Sequence, residues 1–343
     1  MANDTMGFAI LGAGVIADHH VAAIQANSDL GAQLVAMGHY SPDRFEAISA
    51  QFGVPCLTEA DLLARDDVDV VCICTPSGQH AAQTMAAAEA GKHVLVEKPM
   101  ALNPKDADAM IAACERAGVK LGVCFQSRGR PLFQRIHAAI QGGELGDLTI
   151  GIVTMPYFRP QSYYDQAAWR GTWELDGGGV LMNQGIHQVD LLVWLMGDPV
   201  KVEAFGGTLH RRVDVEDTLA AMLHFPNGAL ATITATTTAN PGFPHRLEIY
   251  GTGGGICTEG DVLGNWQLVE PTSTVDIPET GTVTSAGAGS DPRGTDAHGH
   301  TALFRDFIQA VREDRLSAVH GGEGRRSVAV VNAIYEAAGL AAS

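Results

Sequence analysis

A regular alternation of strand-like and helix-like segments up to about residue 127 constrains the fold most strongly. The strand-like segments are short, apolar and rich in β-branched residues, and the segments between them carry apolar residues at helical spacing. The strand-like segments are MGFAILGAG, AQLVAMGHY, VDVVCICTP, HVLVEKPM and VKLGVCFQ. This alternation predicts βαβ units, and hence an α/β domain at residues 1–127 with a doubly wound parallel sheet.

The rest of the chain, residues 128–343, predicts a second domain of α+β type. Most of its segments are strand-like, and the Asn-Gly of FPNGAL is a hairpin signal, so we expect a large, mostly antiparallel open sheet. The helical pattern GGVLMNQGIHQVDLLVWLMG interrupts the strands, and two helical patterns, which are able to pack back on the first domain, close the chain. The Ser-, Thr- and Gly-rich stretch from 272 to 297 predicts a long loop.

Composition excludes several classes of partner. The chain has 343 residues, enough for two domains, and its net charge of −17 repels nucleic acid and anionic membranes. We expect no signal peptide, no membrane span and a cytoplasmic location. The cysteines show no CxxC spacing, and the HxH of His298 and His300 lacks a partner cluster, so we expect buried thiols and no metal.

A glycine-rich turn follows the first strand-like segment. Gly12 permits a tight turn, Gly14 permits close approach of a pyrophosphate, and the helix that begins at Val15 and Ile16 points its N-terminus at the anion. In this strand–turn–helix context the motif predicts a dinucleotide site and a Rossmann domain. The alternative is a glycine-rich turn without a ligand.

The end of the second strand bears on the choice of cofactor, NAD(H) or NADP(H). An acid at this position grips the ribose of NAD, but the strand ends at His39, Tyr40 and Ser41, with Arg44 a turn later. Because Arg44 can pair with a 2′-phosphate, the pattern favours NADP without excluding NAD.

Two further segments are placed to contact the cofactor. Thr75, Pro76, Ser77 and His80 follow the third long strand-like segment at the edge where ligands of parallel sheets bind. A turn that caps the next helix is the compatible alternative. Gln126 follows the last strand of the first domain and is predicted to contact cofactor or substrate.

The stretch VLVEKPM delivers Glu97 and Lys98 to the carboxyl end of a core strand, and Pro99 fixes the exit direction. A lysine there can hydrogen-bond a substrate hydroxyl and relay its proton as hydride leaves the same carbon. Glu97 is able to hold a nicotinamide ribose or to steer Lys98. The alternative for Lys98 is a solvated strand end.

The chain contains three motifs in order, G-x-G-x-x-A, T-P-x-x-x-H and V-x-V-E-K-P. Together they resemble the motifs of the Gfo/Idh/MocA family of NAD(P)-dependent sugar and cyclitol dehydrogenases. The resemblance covers essentially the whole chain. Residues 159–197 are similar to the family's substrate-domain core. The pattern is nearest to members that act on pyranosides or on UDP-N-acetylglucosaminuronate.

The resemblance implies roles for individual residues. Lys98 becomes the catalytic lysine, Glu97 a cofactor-ribose contact, and His187 an acid/base at the oxidised hydroxyl. Asn183 stands where many members have Asp, and since an amide cannot take a proton, Lys98 and His187 remain the titrating pair. From the residues alone, Asn183 and His187 share one helical face, and Asp190 is placed to orient His187.

An aromatic, polar segment precedes that helix. Its residues suit a sugar, which needs flat apolar faces and polar edges, although a structural loop is the alternative. The candidate substrate-binding residues are Gln161, Tyr163, Tyr164, Trp169 and Arg170. Arg170 meets either a substrate carboxylate or a structural partner, and the glycines at 177–179 admit a ligand or a neighbouring helix.

The first hypothesis is therefore an NAD(P)-dependent dehydrogenase acting on a secondary hydroxyl of a sugar, glycoside, sugar acid or cyclitol, a small carbohydrate substrate. A cofactor-binding sensor on the same scaffold is the alternative from another class, and a reductase of an imine or enone is the third. The resemblance also implies a homodimer or homotetramer that associates through the open sheet face, where ALATITATTTA has suitable small and β-branched residues.

Overall fold

The structure is a computed structural model that describes residues 5–270, 279–281 and 298–340. Apart from 279–281, the predicted loop at 272–297 lies outside the described residues. The chain divides into two compact units, Met1–Gly129 with Asp296–Arg325 and Arg130–Thr295 with Arg326–Ser343. The division lies two residues beyond the predicted boundary, and the segment Asp296–Arg325 groups with the first unit.

The first unit contains a six-stranded parallel sheet of order β3-β2-β1-β4-β5-β6. The strands are β1 (Met6–Leu11), β2 (Ala32–Gly38), β3 (Cys56–Leu57), β4 (Val70–Ile73), β5 (His93–Val96) and β6 (Leu121–Val123). The helices between them are α1 (Val15–Ala26), α2 (Phe45–Phe52), α3 (Glu59–Leu63), α4 (His80–Glu89) and α5 (Pro104–Ala117). This confirms the predicted doubly wound fold, to which the structure adds the short β3 and α3.

Local sequence explains why these elements form. All six residues of β1 are buried, as a parallel strand covered on both faces requires. The Asn103 side chain accepts a hydrogen bond from the Asp106 N–H and caps α5, Pro104 occupies its first turn, and Gly118 ends it in the left-handed conformation. Capping and turn residues thus set the length of α5.

The second unit contains a seven-stranded sheet of order β13-β12-β11-β7-β10-β9-β8. Its strands are β7 (Leu148–Pro156), β8 (Lys201–Gly207), β9 (Thr218–His224), β10 (Leu230–Thr236), β11 (Arg246–Gly251), β12 (Gly254–Glu259) and β13 (Val262–Leu268). Among these pairs, only β7 and β10 run parallel. The predicted, mostly antiparallel sheet is confirmed, and β12 is a strand that the sequence did not reveal.

The second unit also contains α6 (Pro131–Gln141), the short α7 (Gln161–Tyr164) and α8 (Ile186–Met196). Two helices, α9 (His298–Arg312) and α10 (Gly321–Ala337), close the chain. In the first unit the ring of Phe304 on α9 stacks on Phe8 of β1 at 5.8 Å. Within the described residues, none of the helices combines the length and the apolar character that crossing a membrane requires.

One face of the seven-stranded sheet is exposed. Strand alternation places Phe205, Met222 and Leu230 on this face, with 85, 51 and 42% of their surface accessible. A cavity of about 540 Å³, lined by residues of β7, β8, β9 and β10, opens near Phe205. The cavity is mainly apolar and lacks a cluster of titratable side chains, so it does not resemble a catalytic site.

Candidate active site

The glycine turn, the Thr75 turn and Lys98 lie along one edge of the parallel sheet, because β1, β4 and β5 are neighbours with the same direction. Gly12 has φ 99°, and a Cβ there would lie 2.6 Å from the Cys74 carbonyl oxygen. Only glycine therefore fits where the two turns meet.

The start of α1 is suited to an anion. A Cβ on Gly14 would have no described atom within 4 Å, and no described side chain caps the helix that follows. Val15 is 58% exposed, whereas Ile16 packs on the core. The first backbone N–H groups of a helix bind phosphate in this arrangement, so these residues fit a dinucleotide pyrophosphate.

The predicted specificity residues form a small cluster after β2. His39 Nδ1 accepts a hydrogen bond from the Ser41 N–H at 3.1 Å, and Arg44 Nη1 lies 3.5 Å from His39 Nε2. Tyr40 is 93% exposed and stacks on His39. Since Arg44 shares its 3₁₀ turn with Asp43, the turn is not purely cationic, and the preference for NADP stays a prediction.

His80 links the turn after β4 to the turn after β5. Its Nε2 lies 2.9 Å from the Thr75 carbonyl oxygen, and its Nδ1 lies 2.8 Å from the carbonyl oxygen of Pro99. The ring is buried, and burial lowers the pKa of His80. The Thr75 hydroxyl donates to Gln83, and Ser77 begins a 3₁₀ turn behind Pro76. His80 and the Thr75 hydroxyl thus make contacts within the first unit that stabilise the two turns at this edge of the sheet.

Glu97 points into the first unit. Its Oε1 accepts a hydrogen bond from His20 Nε2 at 2.8 Å, and its Oε2 accepts one from the Lys98 N–H at 3.2 Å. His300 Nε2 lies 3.4 Å from the same Oε1. Burial raises the pKa of Glu97, but the two imidazoles lower it more, and the result is well below its ordinary value. A ribose contact would compete with these bonds.

His20, Glu97 and His300 are a group that the sequence analysis missed. Their donor atoms lie within 4.8 Å of one another, and Cys124 Sγ lies 3.9 Å from His20 Nε2. Such donors are able to bind a metal. Because His20 Nε2 and Glu97 Oε1 are already hydrogen-bonded, we interpret the group as a polar network. No local spacing reveals it, since its members are far apart in the chain.

Lys98 is half-buried and lies two residues after the end of β5. Gln126, predicted to contact cofactor or substrate, is 8% exposed, and its Oε1 has no hydrogen-bond partner among the described residues. A buried acceptor of this kind fits an N–H donor from a ligand.

Cys72, Cys74 and Cys124 are buried, as predicted, and burial raises the pKa of each thiol.

In the second unit, the segment that carries Asn183 and His187 contains two kinds of helix. Residues Val180–Gly185 form a π-helical turn, and α8 begins at Ile186. Asn183 therefore lies in the wider turn and His187 in the first turn of α8, which modifies the simple i, i+4 relation assumed from the sequence. Single π turns are frequent at functional sites.

Asp176 orients Asn183. The Asn183 Nδ2 donates to Asp176 Oδ1, and Asp176 Oδ2 accepts a hydrogen bond from the Gly171 N–H at 2.9 Å. Asp176 is 2% exposed. The amide orientation of Asn183 is thus fixed by a buried carboxylate that the sequence analysis did not identify. Asp190, expected to orient His187, accepts a hydrogen bond from Ser327 Oγ at 2.9 Å.

The five aromatic and polar candidates divide into two groups. Tyr164 is buried and donates to Thr237 Oγ1, and Gln161 Oε1 accepts a hydrogen bond from the Arg212 N–H at 2.9 Å, so both have internal partners. The half-buried Arg170 guanidinium stacks on two half-buried rings, 4.2 Å from the Tyr163 ring centre and 4.8 Å from that of Trp169. Gln161 and Tyr164 thus form the group with internal partners, and Tyr163, Trp169 and Arg170 form the stacked group.

A doubly wound sheet with a glycine turn, an open helix start and a lysine on the same edge defines the class of dinucleotide-dependent oxidoreductases. Residues 6–125 match the oxidoreductase family with an NAD-binding Rossmann fold. Residues 133–257 match the GFO/IDH/MocA C-terminal domain. The chain belongs to the Gfo/Idh/MocA family and is an NAD(P)-dependent oxidoreductase.

Characterised relatives show the same relationship along most of the chain. An inositol 2-dehydrogenase of Rhizobium meliloti (strain 1021) is 30% identical over 262 residues, 74% of this chain and 76% of the relative. The WlbA dehydrogenase from Bordetella pertussis, solved with NADH and UDP-GlcNAcA, is similar with a TM-score of 0.88 and 33% identity, covering 98% of this chain and 96% of that one. An aldose-aldose oxidoreductase from Caulobacter crescentus, complexed with glycerol, gives a TM-score of 0.80 at 26% identity, with 97% of each chain covered.

Proposed function

We propose that the protein transfers a hydride between NAD(P) and the carbon of a secondary hydroxyl in a sugar, glycoside, sugar acid or cyclitol. The observation that carries the proposal is the position of Lys98 at the carboxyl end of β5, on the same sheet edge as the glycine turn. Two relatives support this substrate class: the inositol 2-dehydrogenase, and the WlbA dehydrogenase that was solved with UDP-GlcNAcA.

In this mechanism the bound nicotinamide supplies the hydride acceptor. Lys98 hydrogen-bonds the substrate hydroxyl and stabilises the negative charge that develops on its oxygen. His187 receives the proton, since an imidazole is the side chain that titrates nearest neutral pH. Asn183, held by Asp176, orients the hydroxyl and takes no proton.

The substrate face is the stack of Tyr163, Arg170 and Trp169. Its flat rings suit the apolar face of a pyranose, and the guanidinium suits a carboxylate or a phosphate. An acidic or nucleotide-linked sugar uses both features, whereas a neutral cyclitol uses only the rings. We therefore place sugar acids first among the candidate substrates.

The alternatives differ in how well the observations support them. A sensor without turnover has no use for Lys98 at the sheet edge, and the relatives are named as dehydrogenases and oxidoreductases. A homodimer or homotetramer remains a prediction that the exposed Phe205, Met222 and Leu230 support, because single soluble chains seldom expose such a patch.

The test is a screen of sugars, glycosides, inositols and UDP-sugar acids with NAD and NADP, followed by Lys98→Met on the best substrate. We expect kcat to fall about 10³-fold while the Kd of the dinucleotide is unchanged, since general acid–base contributions are of this size. Lys105→Met is the matched control, because Lys105 is an exposed lysine on α5. Turnover retained in Lys98→Met would contradict the mechanism.

A further inference from the structure

Two residues accept hydrogen bonds from all four backbone N–H groups, 179–182, at the start of the helical segment that carries Asn183 and His187. The N–H groups of residues 179 and 181 donate to the two carboxylate oxygens of Glu216, at 2.8 and 2.9 Å. The N–H of residue 180 donates to the Glu216 carbonyl oxygen at 3.1 Å, and that of residue 182 donates to the Tyr335 hydroxyl oxygen at 3.1 Å. These are the donors that a helix start leaves without intrahelical partners.

Glu216 and Tyr335 also bind each other. The Tyr335 hydroxyl donates to Glu216 Oε1 at 2.9 Å, so these two residues and four consecutive N–H groups, one of which binds the Glu216 carbonyl oxygen, form one closed network. Glu216 is 1% exposed and Tyr335 is 4% exposed. Buried hydrogen bonds to a carboxylate have little competition from water, and they hold geometry more firmly than exposed ones.

The glycines at 177–179 make this approach possible. A Cβ on Gly179 would collide with the Glu216 carbonyl oxygen, and one on Gly178, whose φ is 153°, would collide with the Tyr335 hydroxyl. The sequence pattern indicated either a ligand or a neighbouring helix at these glycines. In the structure, Tyr335 of α10 and Glu216 before β9 occupy that space.

The anchored residues lead directly into the functional ones. The network fixes N–H groups 179–182, the π turn continues through Asn183 to Gly185, and His187 follows in α8. The direction in which Asn183 and His187 point therefore depends on where this first turn is held. A displacement of about 1 Å in a reacting group costs about 10²-fold in rate.

We propose that Glu216 and Tyr335 are positioning residues for the reaction, holding the start of this helical segment so that Asn183 and His187 meet the substrate hydroxyl in the productive geometry. The inference rests on the proposed function, because it assigns Glu216 and Tyr335 an effect that acts through His187 and Asn183. Neither residue contacts substrate in this mechanism.

The experiment compares Glu216→Gln and Tyr335→Phe with the parent enzyme. Each oxygen of the Glu216 carboxylate accepts a hydrogen bond from one backbone N–H, and in the Gln variant an NH₂ group replaces one of these oxygens and faces an N–H donor. The Phe variant removes the hydroxyl that bridges residue 182 and Glu216. We expect kcat to fall about 10- to 100-fold in each, with the Kd of the dinucleotide unchanged. Matched controls are Glu248→Gln and Tyr250→Phe, since Tyr250 donates to Glu248 at 2.7 Å on the exposed sheet and both variants should keep parental kcat.

A double-mutant cycle distinguishes positioning from simple loss of folded protein. In a background that carries both Asn183→Ala and His187→Gln we expect Glu216→Gln to lower kcat by less than about threefold, because both groups that it positions are already gone. The same fold-loss in both backgrounds, or parental kcat in Glu216→Gln, overturns the inference. If Lys98→Met and His187→Gln themselves keep full turnover, the proposed function has failed instead. Circular dichroism and Tm establish that each variant is folded at the assay temperature.

Discussion

Glu97 in the first unit and Glu216 in the second are both buried glutamates that hold a segment carrying a predicted proton-handling residue. Their pKa values nevertheless move in opposite directions. Burial raises the pKa of Glu97, but His20 and His300 lower it more, to well below the ordinary value. Burial raises the pKa of Glu216 to about 7, because backbone N–H groups and the Tyr335 hydroxyl offset only part of the cost.

The difference lies in what faces each carboxylate. Glu97 faces imidazoles, which are able to carry a positive charge, whereas Glu216 accepts hydrogen bonds from neutral donors. Neutral dipoles stabilise a buried carboxylate less than a cationic partner does. The first unit thus keeps a fixed negative charge beside Lys98, and the second places a carboxylate that titrates near neutrality at the start of the His187 segment.

Glu97→Gln is expected to have the largest effect on stability. Burial lowers the pKa of His20, so the substitution removes a buried hydrogen bond to a charged acceptor, and such a loss costs up to about 3 kcal/mol in the free energy of unfolding. Urea unfolding at pH 7 measures it. Glu115→Gln, an exposed glutamate on α5, is the control and should change the free energy of unfolding by less than about 0.5 kcal/mol. A loss below about 1 kcal/mol for Glu97→Gln would show that the charge contributes little.

The pH dependence of stability should differ between the two sites. Because the pKa of Glu216 is raised in the folded state from 4.5 to about 7, its contribution is fully present below pH 4.5 and is lost as pH rises through 7. The difference in unfolding free energy between the parent and Glu216→Gln should therefore fall by at most about 3 kcal/mol between pH 4.5 and 8. Glu97, whose pKa is lowered, contributes stability above its unfolded pKa and loses it as pH falls.

Unfolding of the parent and Glu216→Gln at pH 5, 6, 7 and 8 gives this difference directly. A difference that is flat over the range, or that rises with pH, would mean that the carboxylate is ionised in the folded state at every pH tested. The contrast with Glu97 would then disappear.

The smallest effect is expected at His300. Neither of its ring nitrogens makes a hydrogen bond to the described residues, although Nε2 lies 3.4 Å from Glu97. His300→Leu should change the free energy of unfolding by less than about 1 kcal/mol, while His20→Leu, which removes the 2.8 Å bond to Glu97, should cost about 2 kcal/mol. Thermal unfolding of the two variants side by side checks this order, and equal losses would show that His300 supports the carboxylate as strongly as His20 does.

Local patterns predicted much of the molecule. The alternation up to residue 127 predicted the doubly wound parallel sheet, and the Asn-Gly of FPNGAL marked the hairpin between β9 and β10. The two-residue β3 was missed because so short a run carries no period, and the π turn because its residues also fit an α-helix.

The sequence by itself determined that Gly12, Gly14 and Lys98 lie on one sheet edge, because parallel strands bring their carboxyl ends together whatever the rest of the chain does. Only the tertiary structure decided which side chains hold the functional segments in place. His20 meets Glu97 across 77 positions, Glu216 meets Gly179 across 37, and Tyr335 meets Glu216 across 119. Contacts of that separation leave no local period or spacing, since they depend on how packed elements bring distant residues together.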